Sequence, residues 1–370
     1  MKILHLIPSM GGGGAERQLT YLCMELVRSG CEGHVGLLYG GPNMERLERS
    51  GAVINKLKCQ SNYDPLLIYR IARLISRIRP DIVQSWIAQM DVFGGLAAKL
   101  TGVPFVMTER STAQNYSGGW KNCLRKIVAA NASYIVANSQ AGRDYWLSQG
   151  MERERLSVIR NAIPFVDIES FTCDPATQEI PTDAESIVYS GRYSYEKNPT
   201  VMLEAFRQVL NARPEATVYM FGDGPMKNDF IAFRDKHGLA DRLRVGGYTS
   251  QLWGIFKTAT LFVSVSSFEG TPNTVLEAVA CGCPVVLSDT PSHREILDDA
   301  SAWFVPVDSP PTIARGILSV LADRKEAQVR AVRARSIIKR WSPAAIAAEY
   351  LELYGRITRQ PSVFVRDAVL

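Results

Sequence analysis

The chain has no run long and apolar enough to span a bilayer, no Cys-x-x-Cys, no His-Glu-x-x-His and no Asp-x-Asp. Each absence closes a class of reading. Without a spanning segment, and with Met1 to Pro8 reading as a strand that runs into glycines rather than as a signal peptide, a cytoplasmic location is expected, at most peripheral on the membrane face. The seven cysteines are odd in number and agree with a reducing compartment; Cys281 and Cys283, flanking a glycine at a helix end, read as buried structural thiols. His5, His34, His237 and His293 show no metal-ligand spacing, so neither a resident metal nor another cofactor is expected. No aromatic-rich basic strand or nucleic-acid motif occurs, and no nucleic-acid partner is expected.

What is present is an α/β pattern. The 370 residues, 46% of them apolar, suffice for two cores. Strand and helix patterns alternate throughout, which argues for parallel sheets covered by helices. Strands are expected at Lys2 to Pro8, His34 to Tyr39, Ile82 to Trp86, Phe105 to Glu109, Tyr134 to Asn138 and Ser157 to Ile163. A second set begins at Ser186. Pro175, Pro181 and polar neighbours mark a hinge between the sets. The expected organisation is therefore a first doubly wound domain over 1–167, a linker over 168–185, a second domain over 186–341, and a helix and tail over 342–370. Gly102-Val103-Pro104 and Gly282-Cys283-Pro284 are matching helix exits, one per domain.

Three consecutive strand-to-helix turns of the second domain carry ligand-type chemistry. After the apolar run Leu261 to Val265, Glu269 lies in a turn and Glu277 lies over a turn into the following helix. Gly270 permits the turn, Thr271 is a capping residue, Pro272 suits the first helical position, and Asn273 follows. Free amides at such a helix start favour an anion or polar hydroxyls. An ionised carboxylate only accepts hydrogen bonds, which matches a vicinal diol of a ribose or hexose. The competing reading is a loop carboxylate and a helix carboxylate paired with a nearby cation. After the strand Ser186 to Ser190 come Gly191, Arg192 and Lys197; an Arg fork and a Lys point charge suit a diphosphate, although either alone also reads as a surface cation. The third turn, Gly222-Asp223-Gly224-Pro225, follows Thr217 to Phe221.

The pattern Gly-Arg-x4-Lys-Asn from Gly191, then Gly-Asp-Gly-Pro from Gly222, then Glu-Gly-x-Pro-Asn-x3-Glu-Ala from Glu269, resembles the donor-binding half of retaining glycosyltransferase family 4, of GT-B fold. The likeness extends to Gly11-Gly12-Gly13-Gly14-Ala15-Glu16-Arg17 and Arg79-Pro80-Asp81-Ile82-Val83. It implies two Rossmann-like domains, the second binding a nucleotide sugar, and a last helix, Pro343 to Ile357, that crosses back onto the first. It further implies transfer of a hexose from a nucleotide diphosphate sugar to a saccharide or lipid-linked saccharide, of the kind seen in bacterial polysaccharide biosynthesis. In that reading Arg192 and Lys197 stabilise the departing diphosphate with the amides of Gly270 to Asn273. Glu269 orients the hexose and Glu277 holds the ribose. Closure of the two domains excludes water. Base recognition is expected near Gly246-Gly247-Tyr248, and Gly12 and Gly13 lie against the donor diphosphate. The lack of Asp-x-Asp makes metal assistance unnecessary. One departure stands out. Where many members carry histidines this chain has Gln84-Ser85-Trp86 and Arg110, so Arg110 is a candidate for phosphate or an anionic acceptor, with Glu109 as its supporting partner.

The first domain is the basic one. Residues 1–167 carry 20 Lys and Arg against 13 Asp and Glu, +7, which leaves −2 of the total +5 for the rest. Over Trp120 to Val128 the residues Trp120, Cys123, Leu124, Ile127 and Val128 follow a helical stripe expected to face the core, beside Lys121, Arg125 and Lys126. The basic side reads either as simply solvated or as leaning, with Trp120, on anionic inner-leaflet lipid. Other functions stay open at this level: a non-catalytic GT-B-fold partner, a nucleotide-sugar epimerase of similar build, and an NAD enzyme using Gly11 to Gly14, although Gly-x-Gly-x-x-Gly is not met.

Overall fold

A computed structural model describes residues 1–61, 64–110, 119–172, 180 and 185–359. The chain divides into two compact units, Met1–Ala162 with Trp341–Leu370, and Ile163–Arg340. Most of the expected linker, 173–179 and 181–184, lies outside the described residues, as does the tail 360–370.

The first unit is built on a seven-stranded parallel sheet of β1 (Lys2–Ser9), β2 (Glu32–Tyr39), β3 (Val53–Lys56), β4 (Ile82–Trp86), β5 (Phe105–Glu109), β6 (Tyr134–Ala137) and β7 (Leu156–Val158). Its order is β3-β2-β1-β4-β5-β6-β7. The second has β8 (Glu185–Ser190), β9 (Ala216–Phe221), β10 (Leu243–Val245), β11 (Leu261–Ser264), β12 (Val285–Ser288) and β13 (Trp303–Val305). Its order is β10-β9-β8-β11-β12-β13, again parallel. The central strands β4 and β11 are buried at every position, Ile82 to Trp86 and Leu261 to Ser264, because helices cover both faces of each sheet. Each buried Leu, Ile, Val or Phe contributes ~1.5–3 kcal/mol of transfer free energy against the entropy of ordering the chain.

In each sheet the winding direction reverses once, between β1 and β4 and between β8 and β11. Loops leaving the carboxyl ends of those two strands part to opposite faces and leave a crevice, the usual ligand position of such sheets.

The helix Pro343–Arg359 belongs to the first unit, where it packs on the helix Gly14–Arg28. Its buried stripe Ile346, Ala347, Tyr350, Leu353, Tyr354 and Ile357 has the helical period, and the Tyr354 hydroxyl bonds Gln84 Oε1 of β4. The unit boundary falls after Ala162 rather than at 167. The reason is local: the short helix Phe165–Ser170 buries Ile168, and Lys257 Nζ donates to the carbonyls of Glu169 (3.2 Å) and Phe171 (2.8 Å) within the second unit.

Candidate active site

The site follows from the switch point of the second sheet. β8 ends at Ser190 and β11 at Ser264, so Arg192 and Lys197 leave one side of the crevice and Glu269 the other. The two loops are tied together: the Ser267 amide donates to the Glu196 carbonyl at 2.9 Å. Lys197 Nζ then meets Glu269 Oε1 at 2.8 Å, with both side chains mostly covered (18% and 14% exposed). Ser266 Oγ donates to the same carboxylate oxygen at 2.6 Å. Burial alone would raise the Glu269 pKa, but Lys197, the nearby His293 and these hydrogen bonds outweigh it and hold the carboxyl below its ordinary value. Glu269 is thus an ionised acceptor.

Arg192 is exposed and enters no ion pair among the described residues, which leaves its guanidinium fork available for an anion. Glu277 is buried on the helix Asn273–Ala280, which opens directly after the Glu269 turn. That helix starts one residue later than the sequence suggests: Pro272 occupies the capping position, and Thr271 precedes it. Gly270 lies at the turn, half-buried.

The glycines of the neighbouring turns have packing reasons. At Gly222 φ is +149°, and a Cβ there would stand 1.9 Å from the Gly191 carbonyl oxygen. The Gly191 amide donates to the Phe221 carbonyl (3.0 Å) and the Gly222 amide to the Gly247 carbonyl (2.9 Å). The loops after β8, β9 and β10 therefore form one ledge, with Tyr248 79% exposed at its end. In the first unit, Gly13 caps the helix Gly14–Arg28, Gly12 borders open space, and the Glu16 carboxylate folds back against the Gly13 position.

Arg110 lies over the Trp86 ring at 4.3 Å and donates to Asn161 Oδ1 (2.5 Å) and Tyr350 Oη (3.4 Å), so it anchors the last helix to the sheet. The charge of Glu109 favours the Arg110 cation, in the sense of the expected supporting role. Glu109 is fully buried, accepts from Trp146 Nε1 at 2.9 Å and pairs with Arg125 at 3.0 Å, so its carboxylate is held inside the unit rather than exposed to an acceptor. Arg125 requires a correction. Its guanidinium sits between Asp91 (2.7 Å) and Glu109 and is 3% exposed, so it is buried rather than presented on the surface as a membrane contact would be. Two buried carboxylates demand a cation, and the helix Trp120–Ala130 is rotated to supply it. The stripe expected in the core is consequently turned outward: Trp120 is 64%, Leu124 38% and Ile127 56% exposed. Lys121 and Cys123 are exposed and Lys126 half-buried on the same helix, whereas Val128 faces inward.

The spacing of the histidines bears only on metal binding and does not single out His293. It follows β12, next to the switch point, and is fully buried. A histidine in a fourth strand-to-helix turn was the available signal.

Two parallel doubly wound units, with Arg192, Lys197 and Glu269 gathered at the switch point of the second, are an arrangement whose usual ligand position is that crevice. A family model described as Glycosyl transferases group 1 matches residues 171–336, and one described as Glycosyltransferase Family 4 matches residues 12–165. The chain belongs to the family 4 type of GT-B glycosyltransferases. It is 25% identical over 311 residues to a putative glycosyltransferase, EpsF, of Bacillus subtilis, covering 79% of this chain and 80% of that one. It is 23% identical over 368 residues to the N-acetylgalactosamine-N,N'-diacetylbacillosaminyl-diphospho-undecaprenol 4-alpha-N-acetylgalactosaminyltransferase of Campylobacter jejuni (94% and 97%). Its fold is similar to that of Anabaena HepE in complex with UDP-glucose, with a TM-score of 0.84, 20% identity, and coverage of 96% of this chain and 100% of that one.

Proposed function

We propose that this glycosyltransferase moves a hexose from a UDP-sugar to a hydroxyl of a lipid-linked saccharide, with retention of anomeric configuration and without a metal ion. The observation that carries this reading is the Lys197–Glu269 contact at 2.8 Å across the switch point, with Arg192 beside it on the same loop. Breaking the anomeric bond leaves positive charge on the sugar and negative charge on the departing diphosphate. Arg192, Lys197 and the amides of Gly270 to Asn273 stabilise that negative charge; one well-placed donor of this kind is worth ~3 kcal/mol. The two cations thereby supply the charge a metal would otherwise supply. Glu269 accepts from hexose hydroxyls, Glu277 from the ribose diol, and the ledge ending at Gly247 and Tyr248 faces the base. UDP is favoured by the likeness to HepE, whose structure holds UDP-glucose. Diphospho-undecaprenol acceptors of the relatives favour a lipid-linked saccharide. The reading predicts turnover of a UDP-hexose in excess EDTA, with the α-configuration of the donor kept in the product by proton NMR. Loss of turnover in EDTA or a β-linked product contradicts it.

The outward stripe of the helix Trp120–Ala130 supports a peripheral position on anionic lipid at the cytoplasmic face. Trp120, Leu124 and Ile127 offer apolar area at helical spacing, and Lys121 and Lys126 supply positive charge. Co-sedimentation with phosphatidylglycerol vesicles is expected at low salt, weakened by added salt and by Trp120→Ala with Ile127→Ser. Association unchanged by both would remove the membrane role.

A further inference from the structure

His293 is fully buried and lies within electrostatic reach of Glu269 and Lys197. Its Nδ1 is 2.9 Å from the Ser288 carbonyl oxygen, 3.1 Å from Ser288 Oγ and 3.3 Å from Thr290 Oγ1. A carbonyl can only accept, so Nδ1 carries the ring proton and Nε2 presents a bare lone pair. Nε2 is buried and has no hydrogen-bond partner among the described residues. The ring is also linked to Glu269 through hydroxyls: Ser288 Oγ donates to the Ser266 carbonyl at 2.7 Å, and Ser266 Oγ donates to Glu269 at 2.6 Å. The charged groups that His293 faces are Glu269 and Lys197; burial keeps its pKa below the ordinary histidine value, opposed by Glu269 and reinforced by Lys197. On its own element, Arg294 is tied to Asp289 and Asp299. Glu196, on the loop that also carries Lys197, accepts from Ser194.

Lys197 cannot serve two anions equally. If it turns to the donor diphosphate, as the proposed function requires, Glu269 loses its principal counter-charge in a covered site, and that is costly unless another cation replaces it. We propose that His293 is a positioning residue that replaces it: as the donor engages Lys197, Nε2 takes up a proton from solvent, holding Glu269 ionised and in place for the hexose, and releases it when the diphosphate departs. The inference rests on the proposed function, since it needs Lys197 on the diphosphate.

The sign is fixed. A group neutral before binding and protonated after it makes binding tighter as pH falls from the bound-state pKa toward the lower pKa of the free protein. The test is calorimetry of UDP binding to the full chain near pH 7 in two buffers of different ionisation enthalpy, for wild type, His293→Gln and His293→Asn. Comparing wild type with variants cancels the ionisation of the UDP phosphate itself. We expect wild type to take up close to one proton more per UDP than either variant, while both variants still bind UDP. Histidine NMR of wild type, which needs no variant to fold, should show one imidazole whose pKa rises on saturation with UDP. Equal proton uptake in wild type and variants, or four histidine pKa values unmoved by UDP, overturns the role of His293 while leaving the donor site standing. Absence of UDP binding to wild type overturns the proposed function and this inference with it.

Discussion

Lys197→Ala is expected to lower kcat by about 10²–10³-fold, because it removes a cation from the diphosphate as the anomeric bond breaks. Arg192→Ala should fall in the same range, since the two act on one developing charge. The variants differ in stability. Arg192 is exposed and has no ion-pair partner to abandon among the described residues, so its loss should leave unfolding unchanged. Lys197→Ala strands Glu269 in a covered site and should cost roughly 1–3 kcal/mol, less than the ~3–5 kcal/mol of a fully buried pair, because both groups keep some exposure. The pH dependence follows from the sign of the shift. Glu269 has its pKa depressed in the folded state, so its pairing stabilises above the unfolded value and is lost as pH falls through the folded one. The deficit of Lys197→Ala should therefore be full at pH 7 and fade below about pH 4. Urea unfolding at both pH values and initial rates with a UDP-hexose check both parts. A kcat within twofold of wild type would remove Lys197 from the chemistry.

Arg125→Ala is expected to destabilise the first unit by ~3–5 kcal/mol, the range for leaving buried charge without its partner. Here one guanidinium serves two carboxylates, Asp91 and Glu109, and lies 5.1 Å from the Trp146 ring. Ser85 Oγ donates to Asp91 at 2.6 Å and would remain. Burial, only partly offset by Arg125 and Ser85, raises the Asp91 pKa above its ordinary value. Without Arg125 that carboxyl protonates more readily still, so the loss should be smaller at pH 5 than at pH 8. Lys121→Ala on the exposed side of the same helix provides the control, with a change within ±0.5 kcal/mol. A loss below 1 kcal/mol for Arg125→Ala would mean that the buried cluster does not hold this helix to the sheet.

The second unit was the more legible from sequence. Its turns carry residues whose types are forced by geometry: Gly222 meets the Gly191 carbonyl, and Glu269 meets Lys197 through loops set by strand order. Long apolar strands and the helical stripe of Pro343–Arg359 were equally plain, because burial on both faces or one imposes a period. Short edge strands were not. β3, with the burial of only two of four positions partial and the rest exposed, has no period to detect, and β13 has three residues. The helix Trp120–Ala130 misled for a physical reason. Periodicity identifies two faces but not which one turns inward, and a single buried ion cluster around Arg125 outweighed the apolar stripe. His293 escapes a reading of spacing because its electrostatic influence on Glu269 arises from the neighbouring positions of β11 and β12 in the sheet, which sequence distance does not encode.

The measurement closest to the central claim is titration of UDP into wild type and Arg192→Ala in the presence of EDTA. The account predicts that wild type binds UDP without metal and that Arg192→Ala binds it ~10–100-fold more weakly, the worth of a charge-assisted contact. Equal affinity in the two proteins, or binding that vanishes when EDTA is added, would contradict it.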